Sequence, residues 1–265
     1  MSRWVLVALA LGVVVLTGRA AVGSVEPRPW TVPPVTSPAT PSDEVPLEVP
    51  GIAPGAELTA AQVAPPTAPT TPSTPRAAET WVAAIAAVTA IPGVAVRAYG
   101  NAALTLTAES PTCRVGWTTL AGIGAIESGH GSHGGSVLQP DGRPLPPIVG
   151  PALDGNGVAA IRATATSTAW HGDAVWDHAV GPMQFIPSTW ERWGADGDGD
   201  GTADPQDVDD AALAAARYLC AGGSDLTSGA GWWAAVRSYN HSDTYVADVL
   251  ARADGYAAAA AAASP

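Results

Sequence analysis

The chain has 265 residues, 47% of them hydrophobic, which allows one domain of ordinary size with extensions and a sizeable core. Its formal net charge is −12, and all 12 basic residues are arginines, scattered from Arg3 to Arg252 without a cluster. A surface of that sign repels phosphate backbones, which argues against nucleic acid as a partner.

Taken in chain order, Met1-Ser2-Arg3-Trp4 and the apolar run to about Thr17 have the basic start and length of a signal peptide and are short for a membrane span. Small residues from Ala20 to Ser24 offer a cleavage site, although Arg19 sits awkwardly there, so residues 1–24 read as a signal peptide or a retained signal anchor. No cysteine follows the run, which argues against lipid attachment. Residues 25–78 are dominated by Pro, Thr and Ala, in steps such as Ala64-Pro65-Pro66-Thr67, and bury too little apolar surface to fold. They read as a disordered tether, and at about 3.1 Å per residue in polyproline II it spans at most on the order of 150 Å.

A mainly α domain is expected over residues 79–256. Helical spacing starts at Glu79, breaks at Pro92-Gly93 and resumes from Val94 to about Ala108. A third helix, starting near Ser110-Pro111-Thr112, carries Val115, Leu120, Ile123 and Ile126 and runs out at Ser128-Gly129. Residues 131–180 are rich in Gly, Pro and Asp and read as a long surface excursion of the kind that carries function or short strands. Helical patterns return over Asp207–Ala221, Gly229–Tyr239 and Asp243–Ala253, and residues 257–265 read as a frayed low-complexity tail. Cys113 and Cys220, far apart in the folded segment of a chain with an export leader, read as one disulfide.

Three motifs carry the chemistry. Glu127 ends an otherwise apolar helix, where burial raises a carboxyl pKa and suits it to proton transfer near neutral pH. Gly181-Pro182-Met183-Gln184-Phe185 precedes a new helix opened by Pro187-Ser188-Thr189, and Tyr239-Asn240 closes another. Glu127-Ser128, the Gly-Pro-Met-Gln-Phe run and Tyr239-Asn240 together resemble the soluble lytic transglycosylase superfamily, most closely the branch of membrane-bound lytic murein transglycosylase B, over roughly residues 79–253. The resemblance implies a lysozyme-like helical fold and cleavage of the bond between N-acetylmuramic acid and N-acetylglucosamine in peptidoglycan. It implies Glu127 as the acid and then the base, with Ser128, Gln184, Phe185, Tyr239 and Asn240 along the substrate groove. No second acid lies in these motifs, which suits a substrate-assisted route in which the sugar's 2-acetamido group and 6-hydroxyl complete the reaction and leave a 1,6-anhydro end. Water attack would make the chain a muramidase, and a non-catalytic glycan-binding module on a tether is the third reading.

Asp196-Gly197-Asp198-Gly199-Asp200-Gly201-Thr202 follows the spacing of an EF-hand loop, with Asp207 closing it under the standard length. The resembling family has a somewhat longer calcium loop here, which would place the last ligand at Asp210. A structural calcium ion is expected. His130 and His133 raise a zinc-amidase alternative, weakened by the lack of a clear acidic third ligand. Core packing is the expected role of Trp81, Trp117, Trp232 and Trp233, and a place on the groove wall that of Trp170, Trp176, Trp190 and Trp193. The stretch from Ile161 to Thr168 departs from the acidic, Gly-rich segment that the resemblance leads one to expect there. An exported monomer, in the cell wall or anchored to the outer face of the cytoplasmic membrane, completes the reading.

Overall fold

The structure is a computed structural model that describes residues 76–156 and 158–263. The leader and the tether up to residue 75 lie outside the described residues. Among the described residues no helix is long and apolar enough to cross a membrane.

Helices α1 (Glu79–Thr89) and α2 (Gly93–Glu109) are separated where Ala90 takes a left-handed conformation at φ 58° and Pro92 caps α2. Helix α3 (Trp117–Ser128) is the centre of the domain, with Leu120, Ala121, Gly122, Ile123 and Gly124 all buried. A helix that is apolar all round belongs in a core, and its two glycines explain how neighbours reach it. A Cβ on Gly122 would lie 2.8 Å from the Val249 carbonyl of α8 (Asp243–Ala262), and one on Gly124 would strike the Tyr99 hydroxyl of α2. Each costs about 1 kcal/mol of helix propensity relative to Ala, so close packing of α3 decides these positions. Helix α6 (Val208–Cys220) lies against α2 and likewise turns small residues inward, Ala211, Ala212, Ala215 and Ala216 being fully buried.

Helix α3 starts later than expected. Cys113 forms a disulfide with Cys220 at the end of α6, their Cα atoms 5.5 Å apart. The Cys113 carbonyl accepts from Leu226 N–H, and Arg114 is left-handed at φ 55°, so the chain cannot be helical until Gly116. The tail also differs from expectation: α8 continues to Ala262. Alanine is the strongest helix former, and Tyr256 and Ala260 pack on the core and hold the last turns.

The excursion holds two antiparallel pairs, β1 (Val137–Leu138) with β2 (Pro144–Leu145) and β3 (Val149–Ala152) with β4 (His178–Val180). It also holds a short helix, α4 (Ala165–His171), opened by a reciprocal Thr164–Ser167 capping box. The departing stretch thus bends into a bridge, Arg162 to Trp176, followed by a helix start, and the Arg162 guanidinium lies 4.0 Å over the Trp176 ring. Helices α5 (Pro187–Trp193) and α7 (Gly229–Tyr239) complete the domain.

Five tryptophan expectations change: Trp170, Trp176 and Trp193, expected on the groove wall, do not line the cleft beside Glu127, Trp170 packing on the core, Trp176 under Arg162 and Trp193 against Tyr218. Trp190 is a core residue, 5% exposed and edge-on to Phe185, because α5 turns that face inward. Trp233 is 38% exposed, while its neighbour Trp232 packs inward and donates to Thr119 Oγ1.

Candidate active site and acidic loop

Glu127 occupies the last turn of α3, which Gly129 ends in the left-handed conformation. Its side chain faces a cleft of about 240 Å³ that Gln184, Phe185, Tyr218, Tyr239 and Asn240 also line. Pro151, Leu153 and Ala179 of the excursion and Thr189 of α5 line that cleft too. Burial pushes the Glu127 carboxyl up to about 7, and the Tyr245 hydroxyl, donating to Oε1 at 2.6 Å, pulls the other way. Among the described residues no second carboxylate lines the cleft. An acid held protonated near neutral pH with one hydroxyl partner can give up a proton and take one back.

The loop after β4 is shaped by its backbone. Gly181 sits at φ +79°, and a Cβ there would collide with the Pro205 carbonyl. Gln184 is left-handed at φ 50°, a conformation costing roughly 1–2 kcal/mol outside glycine. Phe185 and Val180 exchange both backbone hydrogen bonds across this turn, and Gln184 Nε2 donates to the Gly181 carbonyl. Gln184 Oε1 approaches Gly150 so closely that a Cβ there would lie 2.6 Å away.

That loop is also where the three sequence motifs meet. Ser128 Oγ donates to the Pro182 carbonyl at 2.6 Å and accepts from Gly131 N–H. Tyr239 Oη donates to the Met183 carbonyl at 2.8 Å. Ser128, expected on the substrate groove, is therefore corrected: it is 2% exposed, does not line the cleft, and clamps α3 to the Gln184 loop. Tyr239 lines the cleft with its ring while its hydroxyl holds the loop, and burial raises that phenol's pKa well above the ordinary value. Phe185 is 2% exposed and forms the floor, packed on Trp190 and Tyr239.

Sequence reasoning missed Tyr245, Tyr218 and the excursion residues of the cleft. Ser242 caps α8 by accepting from Tyr245 N–H, which sets Tyr245 in the first turn, but its partner lies 118 residues away. Tyr218 donates to the Ser238 carbonyl and meets Trp193 and Tyr239 edge-on. Only its place on the cleft side of α6 marks it.

The two histidines after Glu127 part company. His130 is buried between the hydroxyls of Tyr99 and Tyr256, at 3.1 and 2.9 Å, and burial depresses its pKa to about 4. His133 is exposed in a single 3-10 turn.

In the acidic loop Asp196, Asp198 and Asp210 each present an oxygen within 4.8 Å of the others. Asp210 accepts from Gly197 N–H at 2.6 Å and Asp204 N–H at 2.8 Å, tying the first turn of α6 back to the loop. Asp196 accepts from Gly199 and Gly201 N–H, and Asp200 from Thr202 N–H, which bends the chain into a tight coil. Asp207 does not join the three. It caps α6 at Asp209 N–H and faces Arg143, as Asp200 also does. Of the two candidates for closing the loop, the geometry favours Asp210. Burial, then the neighbouring acids, raises the Asp210 carboxyl to about 6 against the hydrogen bonds it accepts. Hard carboxylate oxygens converging at a Gly-rich turn fit a calcium ion.

Comparison with known proteins found one family match and one similar solved structure. Residues 160–248 match the family described as "Transglycosylase SLT domain". The matched segment is about a third of the chain; it includes Gln184, the acidic loop, Tyr239 and Tyr245, and it leaves Glu127 outside. None of the curated proteins matches the chain. Among solved structures, the Escherichia coli lytic transglycosylase Slt35 in complex with bulgecin A is similar at 15% identity and a TM-score of 0.37, over 69% of this chain and 79% of that one. A likeness of that size carries no argument.

Proposed function

We propose that the chain is a peptidoglycan lytic transglycosylase in which Glu127 is the acid and then the base. The observation that carries this reading is a lone carboxyl, pushed up to about 7, in a cleft walled by residues of a transglycosylase SLT match. Glu127 protonates the glycosidic oxygen between N-acetylmuramic acid and N-acetylglucosamine as that bond breaks. The muramyl 2-acetamido group stabilises the developing cation, since among the described residues no second carboxylate lines the cleft. Glu127, now ionised, takes the proton of the muramyl 6-hydroxyl as that oxygen bonds to C1, closing the 1,6-anhydro ring. Tyr245 holds the carboxyl in place, and Gln184 and Asn240 offer amides to the glycan.

The chain acts as a monomer in this reading. Calcium at Asp196, Asp198 and Asp210 would be structural, fixing the connection from α5 to α6 behind the Gln184 loop. The Cys113–Cys220 disulfide suits an exported protein, acting in the wall or held at the outer face of the cytoplasmic membrane by its leader. The finer placement beside membrane-bound lytic murein transglycosylase B rests on the three motifs and the calcium-type loop.

Mass spectrometry of products released from purified peptidoglycan tests this, with Glu127→Gln as the control. Anhydro-muramyl ends that depend on Glu127 are expected. Reducing ends would make the protein a muramidase, and no release by the wild type would leave a binding role.

A further inference from the structure

The acidic loop has a cationic partner outside the loop itself. Arg143, at the end of the turn between β1 and β2, has Nε 3.1 Å from Asp204 Oδ2, Nη1 3.5 Å from Asp207 Oδ2 and Nη2 3.6 Å from Asp200 Oδ2. One guanidinium therefore spans three carboxylates. Asp207 is 1% exposed, and its Oδ2 has no hydrogen-bond donor, so Arg143 supplies the counter-charge to a buried anion. The approach is built in: Gly142, at φ +87°, leaves room for Asp207 Oδ1 where a Cβ would lie 2.9 Å away, and Val208 N–H donates to the Gly142 carbonyl. Asp196, Asp198 and Asp210 form the other group of acids in the loop. Asp200 belongs to the ligand pattern by its spacing, yet in the structure it is turned to Arg143.

We propose that Arg143 is the internal counter-cation of this loop: it holds Asp200, Asp204 and Asp207 together when no metal is bound, and a divalent cation at Asp196, Asp198 and Asp210 competes with it for Asp200. The inference rests on reading the loop as a calcium site. A fixed positive charge beside the site opposes a second cation, and it also keeps the loop shaped when calcium is scarce. Arg143 thus lowers calcium affinity while making the fold less dependent on calcium.

The test is calcium titration calorimetry and thermal unfolding of the full chain, comparing wild type, Arg143→Gln and Arg143→Lys. Arg143→Gln is expected to bind calcium roughly tenfold more tightly, and its melting temperature should fall further without calcium than with it. Arg143→Lys loses the three-way fork but keeps the positive charge that opposes calcium, and should bind within about twofold of wild type. An Arg143→Gln chain that folds only with calcium present would support the proposal in stronger form. Calcium bound equally or more weakly by Arg143→Gln, tenfold tighter binding by Arg143→Lys, or an Arg143→Gln chain that stays unfolded with calcium would overturn it. No calcium uptake by any of the three proteins overturns the metal reading itself, whereas uptake by all with equal affinity removes only the role of Arg143.

Discussion

Glu127 and the loop from Asp196 to Asp210 are both acidic, and they treat their charge in opposite ways. Glu127 is buried with one hydroxyl donor and no second carboxylate among the described residues of its cleft, so its proton is retained up to about pH 7. The loop crowds its carboxylates, satisfies them with backbone amides from Gly197, Gly199 and Gly201, and sets Arg143 against those that remain. Isolation makes a proton donor, and crowding on donors makes a cation holder. The same side-chain chemistry thus serves two ends according to what the backbone points at it.

Four experiments press on that contrast. The largest effect is expected from Glu127→Gln, which should lower turnover about a thousandfold if acid–base catalysis is lost. The same substitution has a stability signature. The folded carboxyl titrates near 7, whereas the unfolded one titrates at about 4.3, so the folded state holds the extra proton between those values. The Glu127 contribution to wild-type stability should therefore fall by about 4 kcal/mol as pH rises through that window. In Glu127→Gln this contribution should be lost while Asp210 and His130 still titrate in the same range, and a chemical-denaturation series from pH 4 to 8 that slopes equally in both proteins would deny the isolation of Glu127.

Next in size is calcium. Chelation should lower the wild-type melting temperature, since saturation at about a hundredfold over Kd contributes about 2.7 kcal/mol. Asp210→Asn should abolish that shift and Asp207→Asn should leave most of it, because Asp207 faces Arg143. The reverse ranking would return the closing position to Asp207.

Tyr245→Phe removes the hydroxyl that favours the ionised form of Glu127, so the basic limb of the pH–rate profile should move up by about one unit. An unmoved limb with unchanged kcat would make Tyr245 a packing residue only. The smallest effect is expected from Ser128→Ala, about 1–2 kcal/mol of stability from two lost hydrogen bonds with KM unchanged. A raised KM would put Ser128 back on the groove.

Much of this was legible in the chain itself. Helices α1, α2 and α7 follow from apolar spacing and from Pro92-Gly93 and Asn240 as breaks, because those signals are local. Glu127 stands out because an acid on an apolar helix has no local partner, and the glycine-spaced aspartates show a coil that only small residues allow. What the sequence could not show is who meets whom. That Tyr245 reaches Glu127, that Ser128 and Tyr239 both close on the carbonyls of Pro182 and Met183, and that Arg143 claims Asp207 and leaves Asp210 with the other acids were decided in three dimensions. Local pattern reports the cost of placing a residue in helix or turn; the partner that offsets burial of a polar group comes from across the core, where sequence distance carries no information.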